Sequence, residues 1–169
     1  MSHELKSISK AGIDEAISKA ELYRYLNEPE ETESICHDIL AIEPGHQTAL
    51  RMLGMALTDQ FEGGANDRFG EAEEILRRLT DRYEQLYYQG ILHERRAKAM
   101  LRAGRAPHTL LPFFEEALRC FSQAADIRPK GNDDAILRWN RCVRILESRP
   151  EFAAERETVS IDDHDSPPV

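Results

Sequence analysis

The sequence predicts an all-α fold, and three observations support this prediction. Apolar residues recur at positions i, i+3, i+4 and i+7 in successive segments, which is the spacing of one face of an α-helix. Turn-forming residues such as Pro44-Gly45 stand where these segments end. No sustained alternation of β-branched and polar residues occurs, although a half-buried strand would require it.

Three helices are predicted in the first part of the chain, over residues 13–27, 29–42 and 46–61. Asn27 and Pro29 end the first helix, and Pro44-Gly45 ends the second. The apolar stripes are Ile13, Ala16, Ile17, Ala20 and Tyr23 in the first, Ile35, Cys36, Ile39, Leu40 and Ile42 in the second, and Leu50, Leu53, Gly54 and Leu57 in the third. Each stripe is typical of a helix with one buried face.

Four further helices are predicted over residues 69–83, 85–103 and 110–127, and from the residues after Gly131 to residue 147. The loop EGGAND precedes the first of these, and Gly104 ends the second. Pro112 is expected in the first turn of the next helix, where its missing N–H has no partner to lose. Asn132 or Asp133 is expected to cap the last helix.

These helices predict one domain over residues 13–148, which suits a chain of 169 residues. Residues 1–12 are expected to form a flexible N-terminus. Residues 149–169 are acidic and have no apolar stripe, so we expect a disordered tail there.

Charge, hydropathy and cysteine spacing disfavour several classes of function. The net charge is −9, which disfavours nucleic-acid binding, although residues 101–149 carry nine basic and six acidic side chains. No apolar run is long enough to span a membrane, and no secretory signal is present, so a cytoplasmic location is expected. Cys36, Cys120 and Cys142 lie in apolar stripes without metal-ligand spacing, and we expect them to be buried structural thiols.

A recurring pattern becomes visible when residues are counted backward from the prolines. Ala117, Phe121 and Ala124 precede Pro129 at the offsets A-x3-F-x2-A-x4-P, and Pro44 is preceded at the same offsets by Thr32, Cys36 and Ile39. The first unit fits a 34-residue frame over residues 13–46, and Leu50, Leu53, Gly54 and Leu57 open a second unit. The chain thus resembles the tetratricopeptide repeat (TPR) family. The resemblance implies a right-handed α-solenoid of about three TPR-like helix hairpins plus a C-terminal capping helix, with insertions at 61–70 and 97–111.

In that family, the first helix of each hairpin lines a concave groove that receives a partner peptide or helix. The resemblance therefore implies a groove in this chain. The groove residues expected are Arg24, Tyr25, Arg51, Met55, Tyr87, Ile91, Arg95, Arg141 and Arg144. Guanidinium groups among aromatic and aliphatic ones suit a peptide with acidic character, because arginine pairs with carboxylates through two hydrogen bonds. Trp139 is expected to face inward and cover the last hairpin.

No motif supports catalysis, so the chain is not expected to be an enzyme or to hold a metal or cofactor. The string His93-Glu94-Arg95-Arg96 lacks the second histidine of a metalloprotease helix. Gly63-Gly64 lacks the Lys-Ser/Thr of a phosphate-binding loop.

The preferred hypothesis is a protein-protein interaction module. One alternative is an export chaperone for an unfolded partner, similar to those of type III secretion. Another is an unrecognised enzyme or regulator with its site in the two insertions. Weak, salt-sensitive homodimerisation is a further alternative, because an unpaired final helix would leave an apolar face.

Overall fold

The computed structural model describes residues 3–155. These residues form α-helices and no β-strand, so the predicted all-α class is confirmed for the described part of the chain. A 3₁₀ turn at Lys10–Gly12 comes first. The helices are α1 (Ile13–Tyr25), α2 (Pro29–Ile42), α3 (Gln47–Asp59), α4 (Phe69–Arg77), α5 (Arg82–Arg102), α6 (Pro107–Asp126) and α7 (Asp134–Glu147), and residues 150–155 are also helical. None of the described helices is long and apolar enough to cross a membrane.

The helices pack in the order in which they occur along the chain. Each of α1 to α6 contacts the next helix, and α5 and α6 share the most extensive interface. The odd-numbered helices also contact one another, α1 with α3, α3 with α5, and α5 with α7. One consequence is a continuous surface made by α1, α3, α5 and α7.

Glycines permit two of the close helix contacts. A Cβ atom at Gly54 would lie 2.4 Å from Leu76 Cδ2, and a Cβ atom at Gly90 would lie 2.6 Å from Phe121 Cε1. Both distances are too short for van der Waals contact. The small residues in the stripes therefore set how closely α3 approaches α4 and α5 approaches α6.

Two large clusters of buried side chains form the core. The first joins α1 through α5 and includes Leu53 and Leu76. The second joins α3, α5, α6 and α7 to residues 150–155 and includes Phe114 and Phe121. Fully burying one such side chain is worth about 1.5–3 kcal/mol, so these clusters are the main source of stability.

The three cysteines are buried and free, as predicted. Burial raises the pKa of the Cys36 thiol to about 12, of Cys120 to about 11 and of Cys142 to about 12. The thiolate, which is the reactive form, is therefore strongly disfavoured at neutral pH.

Two predicted boundaries were wrong, and a capping residue explains the first. The expected helices 69–83 and 85–103 are separated earlier, because α4 ends at Arg77 and α5 begins at Arg82. The Asp81 carboxylate accepts the backbone N–H of Glu84 at 2.8 Å and so caps α5. The second error concerns Pro112, which lies inside α6, since Pro107 occupies the first turn instead.

The predicted domain boundary at residue 148 is also too early. Residues 150–155 are helical, and Phe152 is only 1% exposed. Its ring makes an edge contact with Phe114 at 6.0 Å between centroids. The single aromatic residue of the predicted tail thus anchors its first turns on α6, while residues 156–169 lie outside the described part.

At the N-terminus, residues 3–9 have no regular secondary structure. Ile8 is partly buried against the cluster formed by Ile13, Ile39 and Ala49. Ser9 Oγ accepts the Gly12 N–H at 3.1 Å and caps the 3₁₀ turn. Residues 1–2 of the predicted flexible segment lie outside the described residues.

Candidate interaction surface

The surface made by α1, α3, α5 and α7, here called the odd-helix face, holds two neighbouring pockets. The aromatic pocket has a volume of about 500 Å³ and is lined by Glu21, Arg24, Tyr25, Asn27, Thr48, Arg51, Met52, Met55, Asp59 and Tyr88. The basic pocket has a volume of about 220 Å³ and is lined by Thr58, Asp59, Arg95, Lys98, Arg102 and Arg138. Because Asp59 lines both, the two pockets form one continuous surface.

Helical spacing explains why these residues share a face. On α3, Thr48, Met55 and Asp59 follow one another after seven and four residues. On α5, Tyr88, Arg95 and Arg102 are seven residues apart, which is close to two turns of helix. Side chains at these intervals point in nearly the same direction.

Asp59 is the centre of the charge network on this face. Its carboxylate accepts hydrogen bonds from Arg24 Nε, at 2.9 Å, and from Arg95 Nη1. Arg95 also donates to Thr58 Oγ1 at 2.9 Å. Burial lowers the pKa of the Arg95 guanidinium, and the Asp59 carboxylate opposes that shift. These bonds tie α1, α3 and α5 together.

Glu94 ties α5 to α7. Its side chain is fully buried, and its carboxylate pairs with Arg138 Nη1 at 3.2 Å and with Lys98 Nζ at 3.5 Å. A buried carboxylate is stable only with such compensation. The two cations are each about a third exposed, so they also present positive charge to the basic pocket.

Arg102 provides the most accessible positive charge of the basic pocket. It is exposed and has no ion pair among the described residues. With Arg95, Lys98 and Arg138 nearby, the pocket holds four cations beside the carboxylates of Asp59 and Glu94. The four cations outnumber the two carboxylates, so this end of the face carries a net positive charge.

The structure brings five of the predicted groove residues to this face. Arg24, Tyr25, Arg51 and Met55 line the aromatic pocket, and Arg95 lines the basic one. Tyr25 is 89% exposed, and Arg51 pairs with Glu84 at 2.6 Å.

The other four predicted residues lie elsewhere. Ile91 was wrong as a groove residue, because it is 1% exposed in the core cluster that contains Met55 and Cys142. Tyr87 stacks on Tyr83, with ring centroids 5.7 Å apart, and is partly buried. Arg141 and Arg144 are exposed on α7 but line neither pocket.

Sequence reasoning missed several residues of the face and misplaced one aromatic. Tyr88, rather than Tyr87, lines the aromatic pocket, and Lys98 and Arg102 were not expected there. The seven-residue spacing of Tyr88, Arg95 and Arg102 was the sequence signal that could have predicted their shared face. Trp139 was expected to face inward, but it is 39% exposed and lines a small pocket with Phe121 and Ile136.

The insertion at 61–70 is fastened to α5. Asp67 accepts the backbone N–H groups of Glu62 and Gly63 at 2.8 and 2.7 Å, and it also pairs with Arg96. Arg105 Nε donates to the Gly63 carbonyl at 3.1 Å. Gly63 has a φ of +82°, and a Cβ there would lie 2.5 Å from the Ala99 carbonyl oxygen, so glycine is required.

The insertion at 97–111 contains the last turns of α5 and the first turns of α6. It therefore lengthens the interface between these two helices. Both insertions make structural contacts in this way, which the sequence did not indicate.

One group of potential metal ligands is already bridged by a guanidinium. Glu33, His37 and Glu71 place ligand atoms close together on α2 and α4. Arg68 Nη2 donates to Glu33 Oε1 at 2.6 Å and to Glu71 Oε1 at 2.7 Å. The two carboxylates thus share the guanidinium of Arg68, and the cluster acts as a salt-bridge network.

No protein-family model, no curated protein and no solved structure matches this chain. The resemblance to tetratricopeptide repeats therefore remains a prediction based on the sequence pattern.

Proposed function

We propose that the chain is a TPR-like right-handed α-solenoid that binds a protein partner, a peptide or helix of acidic character, on its odd-helix face. The observation that carries this proposal is the continuity of the face. An aromatic and aliphatic pocket beside Tyr25 and Tyr88 adjoins a pocket with four cations. A peptide with an apolar anchor followed by carboxylates would match both pockets in one extended pose.

The rigidity of the face supports this function. Arg24, Asp59 and Arg95 connect three helices, and Glu94 and Arg138 connect the fourth. A pre-organised surface loses little conformational entropy on binding, which favours affinity. Tyr25 remains available because it is 89% exposed, and Arg102 remains available because it is exposed and has no ion pair among the described residues.

The test is a double variant that removes one contact from each pocket without touching the buried network. Tyr25→Ser with Arg102→Glu changes two exposed side chains. The matched control, Leu137→Ser with Lys130→Glu, removes one exposed apolar group and reverses one exposed cation elsewhere. Acidic peptides with one aromatic residue would be selected from a displayed library on the parent protein.

Fluorescence anisotropy with the selected peptides should show binding at least about tenfold weaker for the face variant, since one anchor and one charge-assisted hydrogen bond are lost. The control variant should bind like the parent. Equal affinity of the face variant and the parent would move the binding site away from this face and contradict the proposal.

A further inference from the structure

Another cavity, of about 470 Å³, lies between α4 and α6, with α5 as its floor. The two helices meet at Phe69 and Phe113, whose ring centroids are 5.7 Å apart, and the cavity opens beyond this contact. We call it the α4–α6 cleft. Its floor residues, Gln89 and His93, point roughly opposite to Arg95 and Arg102, since each residue turns the helix by about 100°. The cleft is therefore distinct from the odd-helix face.

The floor of the cleft contains two polar atoms without a partner. Gln89 Nε2 and His93 Nδ1 are buried and have no hydrogen bond to any described residue. They lie one turn apart on α5, and the His93 ring is flanked by Phe69 at 5.3 Å and Phe113 at 6.1 Å. Leaving buried polar atoms unpaired is costly, so natural proteins keep few of them without a reason.

The walls of the cleft carry charged groups, and most of these are already paired. Glu73 pairs with Arg77 on α4 at 2.9 Å, and Glu116 pairs with Arg119 on α6. These carboxylates therefore have little capacity left to bind a cation.

Arg82, at the start of α5, is the exception. It is exposed, its contact with Gln85 Oε1 is long at 3.4 Å, and it has no ion pair among the residues that the structure describes. Besides His93 Nδ1, the free groups of the cleft thus include two hydrogen-bond donors, the guanidinium of Arg82 and the amide of Gln89. These two residues are about 10 Å apart along the helix axis.

We propose that the α4–α6 cleft is a binding site for a small organic dicarboxylate, with one carboxylate at Arg82 and the other accepting the amide N–H of Gln89. A guanidinium holds a carboxylate through charge-assisted hydrogen bonds, and an amide donor suits the second acceptor end. The cavity is in the size range of small-molecule sites, about 300–1,000 Å³. This site is independent of the proposed peptide-binding function.

Isothermal titration calorimetry with glutarate tests the proposal, and glutaramide, its uncharged analogue, is the ligand control. The protein variant is Arg82→Gln, and its matched control is Arg144→Gln, an exposed arginine on α7 that lines neither the cleft nor the two pockets of the odd-helix face. Glutarate should bind the parent saturably and better than glutaramide does. Arg82→Gln should weaken glutarate binding by about tenfold to a hundredfold, and Arg144→Gln should leave it unchanged.

A second variant, Gln89→Leu, tests the floor of the cleft with a side chain of similar size. Circular dichroism should show intact helices, and glutarate binding should be lost. Absence of saturable glutarate binding to the parent would indicate a cleft filled by water alone and overturn the proposal. Parent-like binding by Gln89→Leu, or an equal loss in Arg144→Gln, would overturn it as well.

Discussion

Buried polar groups on the two sides of α5 differ in whether they have hydrogen-bond or ion-pair partners. On the odd-helix face, the fully buried carboxylate of Glu94 is paired with both Lys98 and Arg138. In the α4–α6 cleft, Gln89 and His93 each have a buried nitrogen atom without a partner among the described residues.

This contrast separates polar groups that hold the fold together from groups that remain available. A satisfied network fixes the relative positions of helices, and its loss is expected to reduce stability. An unsatisfied buried group lowers stability, so its replacement by an apolar group of similar size should cost nothing or raise stability. Three measurements can sharpen or break this distinction.

Glu94→Gln should have the largest effect. The substitution keeps the shape but removes the charge that compensates Lys98 and Arg138. We expect the free energy of unfolding to fall by about 2 kcal/mol, the value of a charge-assisted hydrogen bond reduced by the partial exposure of the cations. Urea denaturation monitored by circular dichroism would measure it.

Glu84→Gln is the matched control for this prediction. It makes the same change on the same helix, but the Glu84 side chain is 25% exposed and its partner Arg51 is 27% exposed. Its cost should stay below about 1 kcal/mol. Equal losses for the two variants would mean that the burial of Glu94 has no energetic consequence.

Gln89→Leu should have a smaller effect of the opposite sign. Replacing an unpaired buried amide by an apolar group of similar size should leave the stability unchanged or raise it by about 1 kcal/mol. Gln85→Leu is the internal reference, because Gln85 Nε2 donates to the Leu79 carbonyl at 2.6 Å in the same region. That variant should lose stability, and a similar loss for Gln89→Leu would show that the Gln89 amide is satisfied after all.

The helix pattern was predictable from the sequence wherever strong stop signals bound a segment. α2 spans Pro29–Ile42, as expected, because Pro29 begins it and Pro44-Gly45 follows it. The start of α5 was missed although Asp81 and Glu84 have the D-x-x-E spacing of a capping box. The capping signal was therefore present in the sequence. The prediction relied on the apolar stripe alone and placed the start of α5 too late.

The candidate face was less predictable, because it depends on how closely neighbouring helices approach. Helical spacing gives the direction of Ile91, but not the fact that the second core cluster covers it together with Met55. The spacing of side chains along a helix likewise does not predict that Asp59 bridges α1 and α5. Asp59 is 35 positions from Arg24 and 36 positions from Arg95. Such long-range contacts follow from the packing of helices against one another. The pattern within a single helix does not reveal that packing.

The smallest expected effect concerns the pH dependence of stability in the cleft. Burial lowers the pKa of His93, although Glu116 and Glu73 act in the opposite direction and Arg119 and Arg77 reinforce it. The unfolded chain then takes up a proton near the ordinary histidine pKa of about 6.5, whereas the folded chain does so only at lower pH. The stability of the parent should therefore fall as the pH decreases from about 7.5 towards 5, a range in which most carboxylates remain ionised.

His93→Gln removes the titrating group and should flatten this part of the stability curve. Urea midpoints measured at several pH values for parent and variant would show the difference, and the NMR titration of the His93 ring would report its pKa directly. A midpoint at or above about 6.5 would contradict the role of burial. A midpoint below that value, with an unchanged slope in His93→Gln, would instead assign the pH dependence to another group. With both results as expected, the neutral imidazole of His93 would be established as a feature of the folded cleft.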